Sequence, residues 1–353
     1  MSSRLQKLRD KLTEKELNAI FITQTENRRY LSGFHGTAGY LIITQKQAIL
    51  ATDFRYVEQA KSEAPGFQIH QITGNIKDWL PSLANDLGLK RMGFEGVDIT
   101  YDFHLQLRRV LKNTKLISQK NLLEAIRAIK EPEEREFIAR ASAMTYAAFE
   151  DIELKIKAGM TEKQVAWELE KALRERGSES LPFEIIVGSG PNAALPHAKP
   201  TDRVIKESEP IVIDMGAKYR GYASDLTRTI CVGSWGDKLK QVYNIVLEAQ
   251  QTAIIKVRRG MTGKTADAIA RNIISKAGYD DSFGHSLGHG VGLAAHEMPS
   301  LSPNSKEKLV DGMVFTIEPG IYLEGWGGVR IEDTVVMENG KARLMTKARK
   351  QTC

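Results

Sequence analysis

Ile211-Val212-Ile213-Asp214-Met215-Gly216 and, 104 positions on, Phe315-Thr316-Ile317-Glu318-Pro319-Gly320 are two readings of one pattern. Each is an apolar strand-like run closing on an acid, one further residue and a glycine. Three more matches keep the same order. Gly159-Met160-Thr161 recurs 101 positions on as Gly260-Met261-Thr262, and His197-Ala198-Lys199-Pro200 recurs 99 on as His296-Glu297-Met298-Pro299. The acid Asp225 recurs 107 on as Glu332. Single tripeptides recur by chance; four matches in one order at a nearly constant offset mark two copies of a supersecondary unit. Two such copies pack about an approximate two-fold axis. What recurs is polar, one histidine and two acids per half, which places chemistry on the seam.

Each half brings its acids together through a turn. Asp214 and Asp225 flank Lys218-Tyr219-Arg220-Gly221. Counting outward from Tyr219-Arg220 sets them opposite each other in a tight hairpin, with Cβ atoms ~4.5–5.5 Å apart, unless a bulge at Gly221 shifts the register by one. Glu318 and Glu332 flank a glycine-rich turn through Gly325, Gly327 and Gly328 in the same manner. Four carboxylates among Ile211, Ile213, Phe315 and Ile317 repel and raise one another's pKa unless positive charge joins them. Two divalent ions balance four carboxylates; protonation or an arginine are the alternatives, and Arg330 stands two residues before Glu332. His285 and His289 lie in Gly284-His285-Ser286-Leu287-Gly288-His289-Gly290-Val291-Gly292, too rich in glycine for a stable helix and suited to close backbone approach. With His296, three of the seven histidines fall in this short stretch. An oxygen-rich set with one imidazole suits Mn²⁺ first, then Co²⁺, Fe²⁺ or Zn²⁺. Two such ions ~3.5–4 Å apart form a device for hydrolysis.

Outside this region the chain is ordinary and bounds the answer by exclusion. Its 353 residues suit two domains. The net charge of +6 is spread among acids with no run of one sign, so nucleic acid is not the expected partner. Cys231 and Cys353 are the two cysteines, too few for a disulfide framework or a thiolate metal site. No apolar stretch approaches the ~20 residues of a membrane span, and the first helix lacks the apolar core of a signal peptide. The expectation is a cytoplasmic protein without a membrane partner.

Residues 1–125 read as an α/β domain. Strands are expected over Asn18–Thr23, Tyr40–Thr44 and Ala48–Thr52, and helices over Ile76–Leu87 and Asp102–Leu111. Residues 126–353 form the second domain, opened by a long helix from Glu131 to about Lys157 that Gly159 stops. Thr161 and Thr262 are placed to cap helices Glu162–Arg176 and Lys264–Lys276.

The order Asp214, Asp225, His289, Glu318, Glu332 resembles the five metal ligands of the pita-bread metallopeptidases, which include methionine aminopeptidase, aminopeptidase P and prolidase. The surrounding motifs are similar too: Ser224-Asp225-Leu226-Thr227-Arg228, Glu318-Pro319-Gly320 followed by Tyr322, and Gly328-Val329-Arg330-Ile331-Glu332-Asp333. In the first region Asn27-Arg28-Arg29-Tyr30-Leu31-Ser32-Gly33, Thr52-Asp53-Phe54-Arg55-Tyr56 and Ile129-Lys130 before Pro132 resemble the aminopeptidase P and prolidase branch. The resemblance implies a creatinase-like α/β domain ahead of an α+β pita-bread catalytic domain with an internal pseudo-two-fold repeat. It implies two divalent ions per chain and cleavage of the bond between an N-terminal residue and a following proline, in short peptides. It also implies a homodimer whose first domain covers the partner's site. By the same resemblance Glu318 is the general base, His197 and His296 bind the substrate and its tetrahedral intermediate, His285 lines the pocket near the proline, and Arg330 and Tyr322 orient the ligands. The stretch Pro299-Ser300-Leu301-Ser302 has no basic residue where some prolidases carry an arginine, so dipeptides and longer peptides both stay open. Two rival readings are a non-enzymatic binding module and another amidohydrolase on the same scaffold.

Overall fold

The computed structural model describes residues 3–345 and 349–351. The chain builds one compact unit up to Arg127 and a second from Ala128.

In the first unit the strand Ala19–Ile22 has all four residues buried, the signature of a strand covered on both faces. It pairs antiparallel with Tyr40–Thr44 and parallel with Arg91–Glu95. Ala48–Thr52 and Gln68–Gln71 extend the sheet on one side and Lys115–Gln119 on the other, giving six strands. Helices Ile76–Asp86 and Tyr101–Val110 form within a residue of their expected ends, the second capped by Thr100 Oγ1, which accepts from Phe103 N at 3.2 Å. Trp79, Leu80, Leu107 and Phe21 meet in the core between sheet and helices.

The second unit shows the repeat as paired hydrogen bonds. Gly159 N donates to Ile205 O at 3.0 Å and Ile205 N to Met160 O at 2.8 Å; Gly260 N donates to Leu309 O and Leu309 N to Met261 O at 2.8 and 2.9 Å. Gly159 and Gly260 both hold positive φ, 95° and 88°, a conformation that favours glycine. The threonines that follow cap their helices, Thr161 accepting from Gln164 N and Thr262 from Thr265 N. These helices are Glu162–Glu175 and Gly263–Lys276. The long helix runs Pro132–Glu153, ending short of Lys157: the chain leaves it at Leu154 so that Gly159 can turn into its pairing with Ile205. Its copy is Asp237–Lys256.

Each helix pair backs a sheet. Phe149, Val165 and Leu169 pack on Val187, Ile211 and Ile213 of a three-stranded sheet. Val242, Val246 and Ala270 pack on Phe315, Ile317 and Val335 of a five-stranded one. The halves are stitched where Glu332 N donates to Thr227 O at 3.1 Å and Thr334 Oγ1 to Asp225 O at 2.9 Å. Among the described residues no helix is long and apolar enough to cross a membrane.

Candidate metal centre

Asp214 sits on strand Ile211–Met215, paired antiparallel with Leu226–Ile230. The connecting hairpin turns on Arg220 and Gly221, at φ 52° and 81°, one residue later than the count from Tyr219-Arg220 expected. Asp214 therefore faces Thr227, and Asp225 lies two residues before it, towards the turn. A shift of two keeps the face, because side chains alternate with period two. The acids are diagonal neighbours rather than a directly opposed pair. Glu318 and Glu332 do fall opposite each other: Ile317 pairs with Asp333 on one side of them and Gly320 with Arg330 on the other.

His289 reaches the cluster from strand Gly288–Gly290. The glycines around it serve close packing, as the sequence suggested. A Cβ on Gly288 would lie 2.0 Å from Thr316 O, and one on Gly290 would lie 2.0 Å from Met298 O. His289 Nδ1 donates to Gly290 O at 3.1 Å, which aims Nε2 at the acids, 3.2 Å from Glu318 Oε1 and 3.5 Å from Asp225 Oδ2. Three sets of side chains bring ligand atoms within 4.8 Å of one another: Asp214, Asp225 and Glu332; His289, Glu318 and Glu332; and Asp225, His289 and His296. All five sequence-selected ligands thus meet in one cluster, and His296 lies against His289 with ring centroids 3.8 Å apart and the rings tilted by 50°.

Sequence reading missed the hydroxyls and the full commitment of Arg330. Thr227 Oγ1 donates to Glu332 Oε2 at 2.6 Å and accepts from Arg330 Nε at 3.1 Å. Thr316 Oγ1 accepts from His289 N and donates to Glu318 Oε1. Arg330 also donates to Asp214 Oδ2 at 2.7 Å, to Tyr322 Oη at 2.9 Å and to Pro196 O at 3.1 Å. His285 Nε2 lies 2.8 Å from Tyr322 Oη. Lys130 Nζ pairs with Glu297 Oε1 at 2.8 Å, both side chains almost fully buried, which anchors the segment that carries His296. Thr227 and Thr316 sit two residues from a ligand acid on the same strand face, a signal visible in sequence but shared by countless strand threonines.

The electrostatics are those of negative charge gathered in a buried place. Burial pushes the carboxyls of Asp225 and Glu332 well above the usual range, and their acidic neighbours push them further. Burial also raises Asp214, with Arg330 restraining it. Glu318 goes the other way: burial would raise it, but the hydrogen bond and charge of His289 bring it down to about 2. Burial works against the His289 charge too, yet Glu318 wins and raises it. Burial lowers His285 and His296, which favours their neutral forms, and pushes Tyr322 up to about 12.

These residues fit a divalent metal. Asp214 Oδ1 and Glu332 Oε1 are buried with no hydrogen-bond partner among the described residues, although oxygens of this kind are costly to leave unmatched. Cations on the cluster would satisfy both orphans and relieve the mutual repulsion. A cavity of about 450 Å³ opens onto the cluster, lined also by Phe183, Ile185, Ile186, His197 and Lys199.

Comparison with known proteins agrees with this geometry. The family described as Metallopeptidase family M24 matches residues 136–339, and the one described as Creatinase/Prolidase N-terminal domain matches residues 4–129. An Xaa-Pro dipeptidase of Pyrococcus horikoshii is 36% identical over 99% of both chains. A solved Xaa-Pro dipeptidase from Bacillus anthracis is 41% identical at a TM-score of 0.96, covering 99% of this chain and 98% of that one. A solved X-Pro aminopeptidase from Thermotoga maritima is 38% identical at a TM-score of 0.88, covering 95% and 97%. The two-domain pita-bread architecture is common to them.

Proposed function

The chain belongs to metallopeptidase family M24, and from that premise we propose that it is a two-metal Xaa-Pro peptidase, hydrolysing the bond between a peptide's first residue and a following proline. The observation that carries the reading is the cluster itself: four acids, two buried and two half-buried, and one imidazole, with Asp214 Oδ1 and Glu332 Oε1 left for a cation. Asp214, Asp225, His289, Glu318 and Glu332 would hold the two ions, Mn²⁺ before Co²⁺, Fe²⁺ or Zn²⁺, since oxygen donors dominate. Bound there, the ions would supply an acidified water and an electrophile for the scissile carbonyl.

This chain's residues do the rest. Glu318, kept ionised by His289, takes a proton from the attacking water and delivers it to the leaving prolyl nitrogen. That nitrogen bears no hydrogen in the substrate and must gain one to leave. His197 and His296 reach into the cavity as hydrogen-bond donors to the substrate carbonyl and the charge that develops on it. Phe183, Ile185 and Ile186 give the proline ring a dry wall, with His285 beside it. Arg330 and Tyr322 hold Asp214 and His285 in place and complete the substrate-binding set. The substrates are short peptides with proline second. We place this activity in the cytoplasm, in a catalytic domain spanning residues 126–353, and in a homodimer.

Chelator-stripped protein is expected to lose Xaa-Pro hydrolysis and to regain it with Mn²⁺ or Co²⁺. Hydrolysis that survives thorough chelation, and survives Glu318→Ala, would overturn the reading.

A further inference from the structure

The cavity is lined by two basic side chains, Arg330 and Lys199. Arg330 is committed: its three nitrogens donate to Thr227, Pro196, Tyr322 and Asp214, and its side chain is 4% exposed. Lys199 is not. Its Nζ lies 3.3 Å from Glu184 Oε2, with the two side chains 82% and 81% exposed. A pair so open to water is weakly held and easily exchanged for another anion. The other charged groups lining the cavity, Asp214, Asp225, Glu318 and Glu332, are acids that repel an anionic ligand unless cations cover them.

The two substrate lengths differ in chemistry at one place. In an Xaa-Pro dipeptide the leaving proline carries a free carboxylate; in Xaa-Pro-Yaa the same carbon belongs to a neutral amide. Resting on the peptidase reading above, the geometry points to Lys199 as the residue that recognises this carboxylate, with Glu184 as the resting partner that the carboxylate displaces. Lys199 follows His197 by two positions and lines the same cavity, so the group that binds the carbonyl and the group that binds the carboxylate come from one loop. Dipeptide selectivity in this chain is then set by the contest between Glu184 and the substrate for one ammonium.

The test uses the full-length, Mn²⁺-loaded protein and two substrates of equal length, Ala-Pro and Ala-Pro-amide, which differ only in the terminal charge. The readout is the ratio of their kcat/KM values. Lys199→Met is expected to lower that ratio about tenfold, through KM for Ala-Pro, as for loss of one partly exposed charge-assisted hydrogen bond. Lys199→Arg should restore most of it, and Glu184→Gln should raise it about two- to threefold by freeing the lysine. An unchanged ratio in Lys199→Met, or equal losses on both substrates, overturns the inference. A wild type that cleaves the amide but not Ala-Pro overturns it while leaving the peptidase reading intact. A wild type that cleaves neither, nor a longer Xaa-Pro peptide, overturns the peptidase reading itself.

Discussion

Thr227→Val removes one hydroxyl from the centre of the site while keeping the shape of the side chain. Thr227 is fully buried, and among the described residues its Oγ1 is the one hydrogen-bond donor to a Glu332 carboxylate whose other oxygen has no partner. It also accepts from Arg330 Nε. A hydrogen bond to a charged group is worth about 1.5–3 kcal/mol. At ~1.4 kcal/mol per decade, its loss from the metal-competent, ionised form of Glu332 corresponds to a fall in metal affinity of about 10- to 100-fold, the range typical of groups that orient a ligand. The hydrogen bond from Thr227 lowers the Glu332 pKa against burial, so the variant raises that pKa further. Protons then compete harder with the cation, and the deficit widens as pH falls. Mn²⁺ titration against a competing chelator, at two pH values, measures both effects. An affinity unchanged at either pH would refute the assignment of Glu332 as a ligand held by Thr227; an equal deficit at both would refute the proton competition.

Three further outcomes follow from particular contacts. Gly288→Ala places a methyl 2.0 Å from Thr316 O, so the strands carrying His289 and Glu318 must part, and metal content should drop along with a stability loss of about 1–3 kcal/mol by thermal melting. Asp333 is buried between Arg228 Nη2 at 2.6 Å and Lys350 Nζ at 2.7 Å, which hold its carboxyl below the usual range despite burial. Arg228→Met should destabilise by about 3–5 kcal/mol, and a loss under 1 kcal/mol in denaturant titration would show that Lys350 suffices. The pH dependence of the metal-free protein has a worked sign. Asp225 and Glu332 have folded pKa values above their unfolded ones, so the folded state binds more protons between the two. Their contribution to stability is full below the ordinary carboxylate pKa and is lost as pH rises through the raised one. Metal-free protein should therefore gain melting temperature relative to Mn²⁺-loaded protein as pH is lowered through that window; parallel curves would contradict it.

Features with local causes were legible along the chain. The caps at Thr161 and Thr262, the positive-φ glycines ahead of them, the apolar strands and the repeat are written in neighbouring residues, and they marked Asp214, Asp225, His289, Glu318 and Glu332 as one set. Opposition of Glu318 and Glu332 was also legible, because one register runs from Val314–Ile317 through the hairpin. The diagonal offset of Asp214 and Asp225 was not: it depends on Arg220, a residue with a Cβ, adopting positive φ, where local sterics favour an ordinary turn residue. Nor could sequence show that Arg330 is used up, that Thr227 serves Glu332 across 105 positions, or that Lys199 remains uncommitted. Those are facts about which polar groups find partners when two halves close, and only the tertiary structure decides them, because a buried hydrogen bond takes its partner by proximity and not by spacing along the chain.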